Sequence, residues 1–437
     1  MRKSVCAVIL IGLLPLALAA QPAGQSPFTD EGAAAAMVPG GWLVAEGRAN
    51  SALQSGFPAV ATLIYRGILV DPALPADARP RITLALITAL LDAGDVAAAE
   101  KAVQAFDGPR DSAYRLRAGL LAAHARRQQA ARAELNEIVA EQLSAAERGW
   151  WLFLQAQVAD MDNDVQRANG LYEQAAQAAT SEQQRARFVL GQAQALLRSG
   201  SPTEQDLAAW RTNMDRFSGQ RVGYDSARYY AAGLARLGRQ TEALGVLERQ
   251  LLALPPTERN VADQFRLLIG LIAGETSPTA RRAFRDLVRE GVRPETQRTA
   301  LYALARGTRS VAERQQLRRD LSALISAPQQ HPIIEDLLLV RAQTALADKQ
   351  SNVAEEDARV LLDRFPGSPL RAAALGVRLS VARDARLYRT AADNCTQLRA
   401  TLPPGRERSE LGVLLAETFF RSGDFKNAAD AYDAALR

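Results

Sequence analysis

The chain predicts an all-α solenoid of about eleven helix-turn-helix units. Two observations carry this reading. A small residue recurs at one interval: Ala354, Ala391 and Ala428 are 37 apart, Ala168, Ala243 and Ala280 are 75 and 37 apart, and Ala61 and Ala99 are 38 apart. Four residues after the small one stands a larger apolar or aromatic residue, as at Tyr172, Phe284 and Tyr432. A unit of ~20–50 residues cannot bury its own apolar face, so self-similarity at such a period means units stacked on one another. Ala and Leu dominate, no alternating β-branched run of length is present, and 437 residues are too many for one compact core, a limit that a stack growing in one dimension avoids.

The internal logic of a unit is plainest near the C-terminus. Leu415, Ala416 and Phe419 share one face of a helix, Gly423-Asp424 breaks it, and Phe425, Ala428, Tyr432 and Ala435 share one face of the next. Glycine suits the break because a left-handed backbone costs least without a Cβ. The small Ala lets two helix backbones approach, and Tyr432 fills the space one turn on.

This segment, SGDFKNAADAYDAAL, resembles a tetratricopeptide repeat (TPR). SGFPAVATLIYRGILVDP from Ser55, AGDVAAAEKAVQAF from Ala93, LGRQTEALGVLERQLLALPP from Leu237 and the run from Ala354 to Pro366 are similar, and Pro72, Pro255, Pro366 and Pro403 fall where that family places a proline after the second helix. The resemblance implies a right-handed superhelix with a concave binding groove. Key sites at or near 61, 99, 131, 168, 206, 243, 280, 317, 354, 391 and 428 give eleven units, those at Asp206 and Leu317 resting on spacing alone.

The first residues have another pattern. Arg2 and Lys3 precede an apolar run from Val5 to Ala19 that ends in Ala17-Leu18-Ala19, which predicts a signal peptide over 1–19 and a mature start at Ala20. Residues 20–40, rich in Ala, Gly and Pro, read as a flexible leader, and 41–437 as the repeat domain. Cys6 sits early in the run, so no lipid anchor is expected, and no segment is apolar over the ~20 residues of a membrane span. The expected setting is the periplasm or the outside of an exporting bacterial cell. With Cys6 removed, Cys395 is the remaining cysteine, four residues after Ala391, where it reads as a small buried hydrophobe.

No reactive constellation is visible, so the chain reads as non-enzymatic, without cofactor or metal. His124 and His331 lack metal-ligand spacing and have no nucleophile motif to serve. Asp160, Asp162 and Asp164 imitate the opening of a calcium loop, but Val165 stands where its glycine belongs and Leu171 where its glutamate belongs. Trp150-Trp151 read as core packing with one ring free to face outward.

Net charge is +5, or +3 once Arg2 and Lys3 are set aside, too little to call the whole chain basic. Between Arg281 and Asp320, however, eleven Arg face five acids. That segment is either a set of solvated helix faces or a docking surface for an anionic partner. The family's groove positions, carried onto this chain, turn Arg228, Arg236, Tyr302, Arg306 and Arg309 toward the concave side and leave Arg318 and Arg319 on the outside. Nucleic acid is not expected, since the segment lacks aromatics spaced to stack on bases.

The resulting expectation is an interaction scaffold of the bacterial cell envelope that binds a protein partner, anionic on the docking reading, in its groove. LLDRFPGSPLRAAA from Leu361 resembles the inter-repeat join of envelope proteins of the outer-membrane assembly and Tol–Pal accessory type. The alternative is a regulatory or docking subunit of an enzyme that exports or modifies envelope polysaccharide. The apolar residues of the last unit further suggest either end-to-end stacking or a C-terminal continuation.

Overall fold

The computed structural model describes residues 41–200 and 202–436. The signal peptide and leader expected over 1–40 lie outside the described residues. Contacts group the chain into two units, Met1–Gln250 and Leu251–Arg437.

In the first unit each helix packs on its sequence neighbour: α1 (Gly41–Gln54) with α2 (Pro58–Val70), α3 (Arg79–Ala93) with α4 (Val96–Gln104), and α5 (Ser112–His124) with α6 (Gln128–Asn136). The series continues with α7 (Ala145–Met161) and α8 (Val165–Gln177), α9 (Glu182–Ser199) and α10 (Glu204–Arg216), and α11 (Arg221–Arg236) followed by α12 (Gln240–Ala253), whose last residues cross the boundary. The second unit holds α13 (Arg259–Ala273) and α14 (Pro278–Glu290), α15 (Pro294–Gly307) and α16 (Val311–Ile325), α17 (Ile334–Ala347) and α18 (Ser351–Arg364), α19 (Arg371–Asp384) and α20 (Tyr388–Thr401), and α21 (Arg406–Arg421) and α22 (Phe425–Leu436). The fold is an all-α helical-repeat array of eleven such pairs, with no strand among the described residues.

The recurrent small site is closed off in each regular pair. Ala61, Ala99, Ala131, Ala168, Ala243, Ala280, Ala354 and Ala391 have no exposed surface, and Ala428 is 3% exposed. Eight of these nine stand fourth in their second helix; Ala280, after Pro278, stands third. At the two irregular units the structure shifts the reading. Asp206 is not a key site: its carboxylate accepts from Thr203 N and Oγ1, completing a capping box, and the buried fourth residue is Leu207. Leu317 is buried, but one turn late, because Ser310 and Glu313 cap α16 early.

The turn within a pair needs a left-handed residue, five positions before the small site in most units. Gly56, Gly94, Gly238 and Gly423 supply it at φ between 75° and 84°, and Arg126, Asn163, Lys349 and Arg386 do so at φ near 60°. A different glycine sets the helix spacing in α13: a Cβ on Gly270 would lie 2.3 Å from the Phe284 ring, so the bare backbone admits the largest side chain of α14. Trp150 and Trp151 both serve the core, Trp150 meeting the rings of Phe153 and Phe188 edge-on at 5.6 and 5.0 Å. Cys395 is buried in the α19–α21 cluster, its thiol pushed up to about 11 by burial.

Candidate partner-binding surface

In each unit the first helices of successive pairs touch one another: α3 with α5, α5 with α7, α7 with α9 and α9 with α11 in the first, α13 with α15, α15 with α17 and α17 with α19 in the second. The second helices have no comparable contact with one another among the described residues. Helices that approach more closely lie on the inside of a curve, so within each unit the first helices form a concave inner wall.

In the first unit that wall is crossed by bonds. Arg187 of α9 reaches back to Asp92 at the end of α3, its guanidinium against the Asp92 carboxylate at 3.2 Å and donating to the Asp92 carbonyl. Arg221 of α11 donates to the Ala93 carbonyl, and Gly94 leaves it room, since a Cβ there would lie 2.4 Å from Nη1. Both cations serve the negative end of α3. Burial holds the Asp92 carboxyl above its usual range despite these arginines, and burial together with the same two arginines keeps the ring of His124 below its usual value. Arg117 ties α3, α5 and α7 together by donating to Leu84 O, Thr88 Oγ1 and Glu147.

The acidic triplet serves the scaffold. Asp160 pairs with Arg198, Asp162 with Arg132, and Asp164 caps α8 by accepting from Arg167 N at 3.2 Å. The three carboxylates are thus committed to three different partners, and no metal-binding cluster is found among the described residues.

The five residues assigned to the groove from sequence divide between the units. Arg228 pairs with Asp225 at 2.8 Å one turn away on α11, and Arg236 donates to Leu197 O at 2.6 Å. In the second unit the Tyr302 hydroxyl donates to Asp336 Oδ1 at 2.9 Å while Arg298 takes Oδ2 at 3.0 Å, so consecutive first helices share one carboxylate. Burial, then that bond, raises the Tyr302 hydroxyl well above its usual range. Arg306 pairs with Glu275 and remains 62% exposed. Arg309 is exposed in the α15–α16 turn, where its backbone N–H donates to Glu313 Oε2.

The basic segment is more nearly neutral than its sequence. Arg281 meets Glu313, Arg285 meets Asp320, and Arg289 meets Asp286 and Glu290; Arg298, Arg306, Arg314 and Arg318 meet Asp336, Glu275 and Asp348, three carboxylates outside the segment. Arg318 does not lie on the outside. It is 7% exposed and donates to Asp348 and to Thr344 O, because the late register of α16 turns it into the join with α17. Sequence reasoning missed Arg187, Arg221, Asp92 and Asp348, whose partners lie 30 to 128 residues away and leave no local signature.

No known protein family and no curated protein matches the chain. Solved structures do. A Rap protein complexed with Competence and Sporulation Factor is 14% identical over 83% of this chain and 97% of that one, with a TM-score of 0.40. The TPR domain of P58(IPK) is 12% identical over 91% and 99%, at 0.23, and the APC/C hetero-tetramer Cut9-Hcn1 is 14% identical over 90% and 86%, at 0.29. At such identities and scores the likeness names no partner, and the repeat fold rests on the chain's own helix pairs.

Proposed function

We propose that the protein is a non-catalytic interaction scaffold that takes a protein partner along the inner wall of its second unit. The observation that carries this is the wall itself, the first helices α13, α15, α17 and α19 touching in succession. The second unit is preferred because bonds that skip over intervening pairs, Arg187 to Asp92 and Arg221 to Ala93, cross the wall of the first, whereas Tyr302 to Asp336 and Arg306 to Glu275 in the second join only neighbouring pairs. Tyr302, Arg306 and Arg309 then form the contact row, and the partner they suit is anionic, since Arg309 is exposed and Arg306, though paired with Glu275, stays 62% exposed beside it. Arg228 and Arg236, tied within the first unit, hold that wall in shape. The setting we propose is the periplasm or exterior of an exporting cell, on the strength of the charged, apolar and small-residue succession over 1–19.

Site-specific photo-crosslinking in the native cell tests the reading. A crosslinker at Tyr302 or Arg309 is expected to trap one partner, and the same group at Arg319 or Glu356, exposed on second helices, to trap none. Equal trapping from both faces contradicts it. N-terminal sequencing of the exported protein is expected to begin at Ala20, and retention of Met1 contradicts the proposed setting.

A further inference from the structure

The join between the α19–α20 and α21–α22 pairs departs from the one before it. It holds a cavity of about 280 Å³ lined by Arg383 and Asp384 at the end of α19, Tyr388 at the start of α20, and Glu417, Thr418 and Arg421 on α21. One interval of 37 residues earlier, at the join between α17–α18 and α19–α20, Leu346 and Ala347 stand in the places of Arg383 and Asp384, and Ser380 and Val381 in those of Glu417 and Thr418. That earlier place is filled by packing. Val381, 8% exposed, belongs to the buried cluster of α17–α19, and Leu346 packs against it. The register is the same one interval on, but charges replace the apolar and small side chains.

The four charged side chains are exposed, and among the described residues none of them has an ion pair or a hydrogen bond. Elsewhere, charges at the ends of successive first helices are taken up by one another: Asp160 on α7 by Arg198 on α9, and Glu275 after α13 by Arg306 on α15. Two guanidinium groups and two carboxylates around one cavity sum to no net charge. A simple anion would meet the carboxylates as well as the arginines, and a simple cation the reverse. A compact molecule that carries both charges suits all four groups, since guanidinium forks match a carboxylate and carboxylates accept from an ammonium group. The volume lies at the lower end of the roughly 300–1,000 Å³ of small-molecule sites, which sets the size of the molecule.

We infer that this cavity binds a small zwitterion, an α-amino acid with an uncharged side chain. Its carboxylate pairs with Arg383 and Arg421, its ammonium group with Asp384 and Glu417, and its side chain lies toward Tyr388. The site shares no residue with the row of Tyr302, Arg306 and Arg309 and does not rest on the partner proposed for that row.

Calorimetric titration and saturation-transfer NMR of the full chain with L-glutamine and L-alanine test this, with acetate and methylammonium as probes that carry one charge each. The amino acids are expected to bind, and acetate and methylammonium at the same concentration to give no signal. Arg383→Ala and Glu417→Ala are each expected to weaken binding about tenfold or more, the factor that corresponds to one lost charge-assisted hydrogen bond. Arg359→Ala, which breaks an exposed ion pair on α18, is expected to bind as the wild type does. Unchanged helical circular dichroism shows that the variants are folded, and Arg383→Gln with Glu417→Gln replaces them if it is not. The inference is overturned if neither amino acid binds, if acetate or methylammonium binds as well as they do, or if Arg359→Ala loses as much as Arg383→Ala.

Discussion

Arg318 Nη1 donates to Asp348 Oδ2 at 2.7 Å, and the two side chains are 8% and 4% exposed. The bond spans the join between α16 and the end of α17, and Arg314 takes the other oxygen of the same carboxylate. Removing one member of a buried pair leaves the other charged and unpaired, which costs about 3–5 kcal/mol. Asp348→Ala is therefore expected to lower the denaturant midpoint strongly. Arg306→Ala breaks an exposed pair and is expected to cost less than about 1 kcal/mol. Comparable losses in a urea titration would mean that the burial of the Arg318 pair carries no energetic weight.

The non-glycine turns store strain that can be released. Lys349, Arg126 and Arg386 hold φ near 60° where Gly94, Gly238 and Gly423 do the same job. A left-handed backbone costs an ordinary residue about 1–2 kcal/mol, and glycine gives part of that back through the freedom it has when unfolded. Lys349→Gly is expected to stabilise the second unit by about 0.5–1 kcal/mol, visible as a raised melting temperature. A lowered one would show that the lysine side chain contributes more than the turn geometry.

His331 gives the second unit an acid sensitivity. Its Nε2 donates to Val288 O at 3.0 Å and its Nδ1 accepts from Ile333 N at 3.4 Å, an arrangement that requires the neutral ring. Burial lowers its pKa below the ordinary 6.5, with the Val288 bond opposing. A depressed folded value means that the neutral ring adds stability above about pH 6.5, and that this share is lost as pH falls through the folded value. His331→Gln retains a donor but does not titrate. The stability gap between wild type and variant is thus expected to narrow on acidification, and a gap that is flat between pH 7.5 and 5 would contradict this.

The regular parts of this fold were legible because they repeat. One buried alanine in nine of the eleven pairs, and in most pairs one left-handed turn five residues before it and one larger residue four after it, are short-range constraints, and a 37-residue interval displays them side by side. The two units with irregular key sites were misread where capping chemistry outweighed spacing: Thr203 with Asp206 and Ser310 with Glu313 fixed the helix starts and moved the register. The surface was less legible for a different reason. Whether an arginine is free depends on carboxylates brought in by curvature, so eleven arginines in forty residues looked like a basic patch until Asp336, Asp348 and Glu275 folded against them. The wall-crossing bonds of Arg187 and Arg221 arise from the same curvature, and no local pattern announces them.

Capture of a partner by the inner wall of the second unit is the decisive property to measure. Bait protein carrying Arg306→Glu and Arg309→Glu is compared with wild type and with a control carrying Arg282→Glu and Arg319→Glu, an exposed pair on the second helices. In extract of the native cell, wild type and control are expected to retain the same partner, with retention falling as salt rises because exposed charges are screened over about 8 Å at physiological ionic strength. The inner-wall variant is expected to lose it. If both double variants retain the partner alike, or retention ignores salt, the inner wall is a solvated face and the proposed function is wrong.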